Sequence, residues 1–372
     1  MMLALFTMLC AAGVAWANGA NDVSKGVATL VGSRLASYRQ GLTWGVIWTG
    51  AGALAALAFS TALLRTFSTG LVNGAFADDP LFPLSVAIGA FAWVLLASRT
   101  GLPVSTTHAL TGAIVGAAIA AGGINGVTWA LTVGTVAIPL ALSPVLAGAL
   151  SYLLHATAFR RRPALARYCV CVANRPTVSL SDLGGGATAV LRAVSLPLVL
   201  VDETQACLQE GERLAGVRVT DAAHWGTSAV LSFARGLNDT PKIVALGMAS
   251  AAVVGLGVAP VYVVGAVAMA AGGMLAGRRV TRTLAERVTD VDPLEGLAAS
   301  AVASLLVLIA AFAALPVSTT HVATGALVGA GLRGGAGAIR WNTVAGLVAA
   351  WFVTLPVSAG VSAAVWWLGA QI

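Results

Sequence analysis

Charge is what this chain has least of. Asp, Glu, Lys and Arg together make up 9% of its 372 residues, against 58% hydrophobic residues and a mean hydropathy of +0.89. So few polar side chains cannot cover a water-facing surface, which excludes a soluble globular protein. Cysteine is scarce too: Cys10, Cys169, Cys171 and Cys207 show no CxxC spacing and give neither a zinc site nor a disulfide framework. Met1 to Ala17 ends in Ala15-Trp16-Ala17, which resembles a signal cleavage site, but no basic residues precede it and the stretch is taken as the first span. HExxH and similar metal-ligand spacings are missing as well, which argues against a membrane-embedded hydrolase.

What is there points to a bilayer. Apolar runs of about 20 residues recur, the length that crosses a hydrocarbon core. The 43 glycines, with many Ala, Ser and Thr, suggest close helix contacts, because lipid gives helices no hydrophobic reason to associate. A formal charge of +7 could suggest nucleic acid. The arginines, however, sit at the ends of apolar runs: Arg34 and Arg39, Arg160 to Arg162, Arg278 and Arg279, Arg333 and Arg340. That is the positive-inside pattern, so the expected partner is a lipid bilayer and not nucleic acid.

The chain repeats itself. Pro103-Val104-Ser105-Thr106-Thr107-His108 recurs unchanged at Pro316-Val317-Ser318-Thr319-Thr320-His321. Between Leu102–Ala117 and Leu315–Ala330 only Ala109, Leu110 and Ile114 differ from their partners Val322, Ala323 and Leu327. Proline disfavours a helical residue before it and suits the first turn after it, and Ser-Thr-Thr supplies capping hydroxyls, so a helix N-terminus should open at each copy. Asn21, Asp22 and Lys25 likewise return as Asn238, Asp239 and Lys242, an offset of 217, and Trp129 with Pro144 returns as Trp341 with Pro356, an offset of 212.

The expected spans of the first half are Leu3 to Val31, Thr43 to Leu64 and Trp129 to His155, with arms Leu84 to Ser98 and Thr111 to Ala121 around the first hexapeptide. The second half offers Trp225 to Val254, Pro260 to Ala276, the arm Leu297 to Ala314 and a last span after Trp341. The polar stretches Asn18 to Lys25 and Arg235 to Lys242 are expected to break the first helix of each half. Short arms suit a re-entrant hairpin, which leaves three crossings per half, an odd number. The expected fold is therefore an all-α polytopic membrane protein of two inverted-topology repeats, each with a broken first helix and a re-entrant helical hairpin, with the site at the midplane between them. Residues 1–158 form the first repeat, 159–223 a cytoplasmic loop or small subdomain, and 224–372 the second, inverted repeat. Within 159–223 the apolar run Ala193 to Val201 is too short to cross. Both termini fall outside, and a multi-pass protein of the cell membrane is expected.

An Asp or a Lys at mid-membrane costs about 2.5 to 3.5 kcal/mol on insertion scales, so two of each call for a reason. Asp22 and Lys25, three apart, can share a helix face, as can Asp239 and Lys242. Two helix N-termini with three hydroxyls apiece complement them and describe an anion site. The plainer readings are internal ion pairs, with the lysines snorkelling to an interface, and hydroxyls that only cap or pack. His108 and His321 relay protons or donate to the anion, or are simply packed. Arg235 is an anion ligand, or an interfacial or ion-pairing group.

Gly19-Ala20-Asn21-Asp22-Val23, Ala28-Thr29-Leu30-Val31-Gly32-Ser33, the second Asn238-Asp239 and both Pro-Val-Ser-Thr-Thr-His motifs resemble the inorganic phosphate transporter family of cation-coupled symporters. The likeness covers both membrane halves and leaves out the central segment. It implies import of inorganic phosphate driven by H+ or Na+, and no enzyme activity. It also implies substrate contacts from Asn21, Asp22, Ser105, Thr106, Thr107, Asn238, Asp239, Ser318, Thr319 and Thr320; Lys25 and Lys242 join these candidates on the helix-face pairing with Asp22 and Asp239, not on the resemblance. Asp22, Asp239, His108 and His321 are the candidates for the coupling ion or proton. No cofactor is called for; Na+ enters only as a candidate coupling ion at Asp22 and Asp239, and a homodimer is entertained as the assembly. Members commonly continue Asn-Asp-Val-Ala-Asn, whereas this chain has Ser24-Lys25 and Pro241-Lys242. The expectation that follows is that the lysines replace some bound sodium, leaving weak sodium coupling or proton coupling.

Hydrogen phosphate keeps an O–H that an ionised Asp accepts and sulfate does not, which favours phosphate over a sulfate permease of the same architecture. An anion channel and a sensor whose output is the central segment are the readings from other classes.

Overall fold

Glycine and proline divide the apolar runs into helices. The computed structural model describes residues 1–159, 168–181, 190–203 and 213–372. The first half forms α1 (Met2–Gly32), α2 (Tyr38–Phe59), α3 (Leu81–Thr100), α4 (Thr106–Gly122) and α5 (Ile138–Leu154), the last entered from Trp129 through shorter helical turns. Strands β1 (Tyr168–Ser181), β2 (Val190–Glu203) and β3 (Arg213–Arg218) follow. The second half forms α6 (Val219–Val253), α7 (Val258–Ala276), α8 (Arg278–Glu286), α9 (Pro293–Phe312), α10 (Thr319–Gly331) and α11 (Trp341–Gly369). Among the described residues, seven helices are long and apolar enough to cross a membrane: α1, α2, α3, the Trp129–Ala158 helix containing α5, α7, α9 and α11. The 35-residue α6 is longer still but carries Arg235, Asp239 and Lys242.

Three features differ from the sequence expectations. The fold is mostly helical, not all-α, because β1, β2 and β3 form an antiparallel sheet in the order β2-β1-β3. The run Ala193 to Val201, too short for a spanning helix, lies in β2, which pairs with β1 from Tyr168 opposite Glu203 onward. A run of that length satisfies its backbone polar groups with a neighbouring strand instead. Cys169, at the start of β1, is disulfide-bonded, against the expectation of no disulfide. Arg160 to Arg162 and Cys207 lie outside the described residues.

The third difference concerns the polar stretches: α1 runs unbroken through Asn18–Lys25, and α6 through Arg235–Lys242. Their side chains are buried in protein, where they satisfy one another, so the helix has no need to open. Pro241 still removes one hydrogen bond by lacking an N–H. The Leu237 carbonyl this frees accepts instead from the Ser60 hydroxyl at 3.0 Å.

The halves pack crosswise. A Cβ on Gly19 of α1 would lie 1.9 Å from the Met269 carbonyl oxygen of α7, and one on Gly236 of α6 would lie 2.2 Å from that of Thr49 in α2. The same exchange joins α4 to α11, where a Cβ on Gly116 would lie 2.1 Å from the Ala359 carbonyl oxygen, and α10 to α5, where one on Gly329 would lie 2.0 Å from that of Gly148. Backbones this close exclude any side chain, the contact that binds helices where burial of apolar area gives nothing. Isolated β-bridges Val72–Val127 and Thr289–Ile339 close the ends of the α3–α4 and α9–α10 pairs. Each pair therefore returns the chain to the end from which it set out. The motifs sit at the far ends of these pairs, deep in the protein.

Candidate functional site

Proline sets the first piece of the site. Pro103 and Pro316 hold the residues before them out of helical geometry. Ser105 then caps α4 by accepting from the His108 N–H, and Ser318 caps α10 from His321, each at 3.2 Å. The first N–H groups of both helices have no partner within the helix and face the interior.

The two tips hold each other. Thr320 Oγ1 donates to the Val104 carbonyl at 2.7 Å, and Thr107 Oγ1 donates to that of Val317 at 3.3 Å. Each hexapeptide thus gives one threonine hydroxyl to the valine carbonyl of the other. Thr106 and Thr319 are buried beside them.

Helical spacing supplies the rest. Residues three and four apart share a face, which groups Asn18, Asn21, Asp22 and Lys25 on α1 and Arg235, Asn238, Asp239 and Lys242 on α6. All eight are at most 3% exposed. Lys25 Nζ donates to Asn21 Oδ1 at 2.7 Å, the Asn21 carbonyl at 3.0 Å, the Val104 carbonyl at 3.4 Å and Asp22 Oδ1. Lys242 Nζ donates to Thr107 Oγ1 at 2.8 Å, Asp239 Oδ1 and the Val317 carbonyl at 3.3 Å, and Asn238 Oδ1. Neither lysine snorkels to an interface.

Asn18 joins the two carboxylates. Its amide donates to Asp22 Oδ2 at 3.0 Å, to Thr106 Oγ1 at 3.0 Å and, more weakly, to Asp239 Oδ2 at 3.4 Å. Arg235 reaches Asn18 Oδ1 at 3.4 Å and Thr49 Oγ1 at 2.5 Å, while its Nε is buried without a hydrogen-bond partner. Burial rules out the interfacial role for Arg235, whose guanidinium lies near the charges of Asp22 and Asp239. Counted as ionised, Lys25, Lys242 and Arg235 against Asp22 and Asp239 give three minus two, a net charge of +1.

Asn21 fixes the loop itself, donating to the Leu102 carbonyl at 2.9 Å and accepting from the Val104 N–H at 3.0 Å, one on each side of Pro103. Asn238 reaches the equivalent Leu315 carbonyl at 3.4 Å.

The sequence-derived residues Asn21, Asp22, Lys25, Thr106, Thr107, Asn238, Asp239, Lys242 and Thr320 meet in this network. The hydroxyls of Ser105 and Ser318 serve as helix caps. His108 and His321 stand one turn further along, their ring centres 4.6 Å apart, and line a cavity of about 710 Å³. None of the site's aspartates or lysines lines that cavity. His321 Nδ1 donates to the Leu140 carbonyl at 3.0 Å, a carbonyl freed by Pro144 four residues on. Sequence reasoning passed over Asn18, Thr49, Ser98, whose hydroxyl accepts from the Asn21 amide at 3.2 Å, and the loop carbonyls. Asn18 had a signal, being one turn before Asp22 and aligned with Arg235; main-chain acceptors had none.

Duplicated helix pairs closing a charged, buried site inside a bundle of apolar helices define a multi-pass membrane transporter. Residues 18–362 match the phosphate transporter family, and the chain belongs to it. A protein of Thermococcus kodakarensis that bears the name phosphate permease is 29% identical, over 96% of this chain and 96% of its own. One of Mycobacterium leprae, named as a low-affinity inorganic phosphate transporter, is 28% identical over 99% of this chain and 78% of its own. Among solved structures, one titled the sodium-dependent phosphate transporter covers both chains completely with a TM-score of 0.79 at 23% identity, so the two share a fold.

Proposed function

We propose that the protein is a secondary active transporter that imports inorganic phosphate across the cell membrane, coupled to H+ or Na+. Its two inverted repeats, residues 1–158 and 224–372, flank a cytoplasmic segment at 159–223, with both termini outside. In this reading the α3–α4 and α9–α10 pairs are hairpins that enter from opposite faces and return without crossing, and the protein works as a homodimer.

The observation that carries the reading is the meeting of two helix N-termini, tied by Thr107 and Thr320, beside a buried arginine in a site of net charge +1. Such a place suits an oxyanion. Phosphate oxygens would take hydroxyls and N–H groups of Thr106, Thr107, Thr319 and Thr320, the amide of Asn18 and the guanidinium of Arg235. Asn21 and Asn238 hold the loops in place. Asp22 and Asp239 face the anion and accept its O–H, which sulfate lacks; in water-poor surroundings an unmatched carboxylate excludes the wrong anion. His108 and His321, beside the tips, are placed to pass a proton.

The names of the relatives support phosphate as substrate, and the fold shared with a sodium-dependent transporter keeps Na+ at Asp22 and Asp239 among the coupling ions. The test is uptake of radiolabelled phosphate into proteoliposomes. Saturable uptake that follows an imposed ion gradient, competed by arsenate and not by sulfate, is expected. Equal competition by sulfate would move the reading to a general oxyanion permease, and non-saturable flux would move it to a channel.

A further inference from the structure

Of the 21 basic residues in the chain, Lys25 and Lys242 are its only lysines; every other one is arginine. They occupy equivalent positions of the two repeats and are 2% and 1% exposed. Each ammonium nitrogen is ringed by four oxygens. Around Lys25 these are the Asn21 side-chain and main-chain carbonyls, an Asp22 carboxylate oxygen and the Val104 carbonyl. Around Lys242 they are the Asn238 side-chain carbonyl, an Asp239 carboxylate oxygen, the Val317 carbonyl and the Thr107 hydroxyl. Three of the four are the same kind of atom in both cages.

Carboxylate, amide and main-chain carbonyl oxygens without nitrogen or sulfur are the ligands of a hard metal cation. A lysine ammonium is the side chain that fits such a cage, because its charge is compact and its three N–H bonds can turn. The flat fork of arginine, used everywhere else in this chain, cannot. We infer that Lys25 and Lys242 are tethered cations, filling two places that a monovalent metal ion would otherwise take, so that the substrate site is charge-balanced without sodium. The net charge of +1 agrees with this, because it neutralises dihydrogen phosphate or, equally, hydrogen phosphate arriving with one proton. The coupling ion is then the proton, and sodium has no room.

This rests on the phosphate reading above, and its test includes a measurement that needs no transport. In proteoliposomes at fixed pH with a proton gradient, replacing sodium by choline leaves wild-type uptake unchanged. Lys25→Ser and Lys242→Ser, singly and together, empty the cages. Uptake by these variants falls in choline and is recovered by sodium along a saturable curve, by a factor of about 5 to 150, the usual range for coupled sites. Lys25→Met fills the cage with an uncharged stem, and sodium does not recover it. In detergent without phosphate, sodium raises the melting temperature of Lys25→Ser/Lys242→Ser by a few degrees over choline and leaves wild type unmoved.

Wild-type uptake abolished in choline overturns the inference, as does a cooperatively melting serine variant that ignores sodium. Failure of the phosphate reading looks different: wild type then takes up no phosphate in any cation, while the melting comparison still decides whether the cages accept sodium.

Discussion

The first and second halves carry nearly the same motifs, yet they build unequal sides of one site. On α1, Lys25 stays within its own half, bound to Asn21, Asp22 and the Val104 carbonyl, while on α6 Lys242 reaches across to Thr107. Position 18 is Asn and its partner 235 is Arg, so one half holds the two carboxylates together and the other contributes the extra positive charge. His321 donates to the carbonyl freed by Pro144, whereas the Nδ1 of His108 is buried without a partner. A duplicated sequence therefore does not give a symmetric site. Substitutions at equivalent positions measure how far the two sides have diverged.

The largest effect is expected from the carboxylates. Asp22→Asn strands Lys25 as an unpaired buried charge, a change that costs about 3 to 5 kcal/mol, and uptake should fall to background. Asp239→Asn should cost less, because Lys242 and Asn18 reach Asp239 at 3.3 Å and 3.4 Å while Asn18 holds Asp22 at 3.0 Å. Equal losses in the two variants, read as uptake and melting temperature, would contradict the asymmetry.

Next come the tips. Thr107→Val removes a donor to Val317 and an acceptor for Lys242, and should lower transport-competent stability by about 1 to 3 kcal/mol. Thr320→Val removes one bond, to the Val104 carbonyl, and should cost about 0.5 to 1.5 kcal/mol. At Gly116 and Gly329 an added Cβ would meet the facing carbonyl oxygen at 2.1 Å and 2.0 Å, so Gly116→Ala and Gly329→Ala should lower the melting temperature by the same amount, an overpacking cost of about 1 to 3 kcal/mol. Divergence should be confined to the site and absent from the scaffold.

The smallest effect lies at the ends of α3 and α9. Gly101 closes α3 with φ of 77°, while its counterpart Ala314 holds the same left-handed conformation at φ of 55°. Ala314→Gly should therefore stabilise by up to about 1 kcal/mol, whereas Gly101→Ala should destabilise by about 1 to 2 kcal/mol, both read as shifts in melting temperature.

The sequence made much of this legible because its signals were local and repeated. Ser105 and Ser318 announced two helix starts, and the spacing of Asn21, Asp22 and Lys25 placed them on one face. Two features were hidden because tertiary packing decides them. Polar residues in α1 and α6 suggested a break, but Ser60, far away in sequence, repairs the carbonyl that Pro241 frees, and the helix continues. Residues 159–223 read as a cytoplasmic loop or small subdomain, with no strand announced, because β1, β2 and β3 find their partners only when brought together. The geometry of the cages escaped for a third reason: three of their eight oxygens are main-chain carbonyls, which no side-chain pattern announces.

The central claim is that both halves make one oxyanion site. Equilibrium binding of phosphate to the purified protein in detergent tests it most directly, with wild type beside Asp22→Asn and Asp239→Asn. The account predicts a single phosphate per chain, competed by arsenate, with binding weakened by either substitution. Two phosphates per chain, or full binding retained after either substitution, would contradict it.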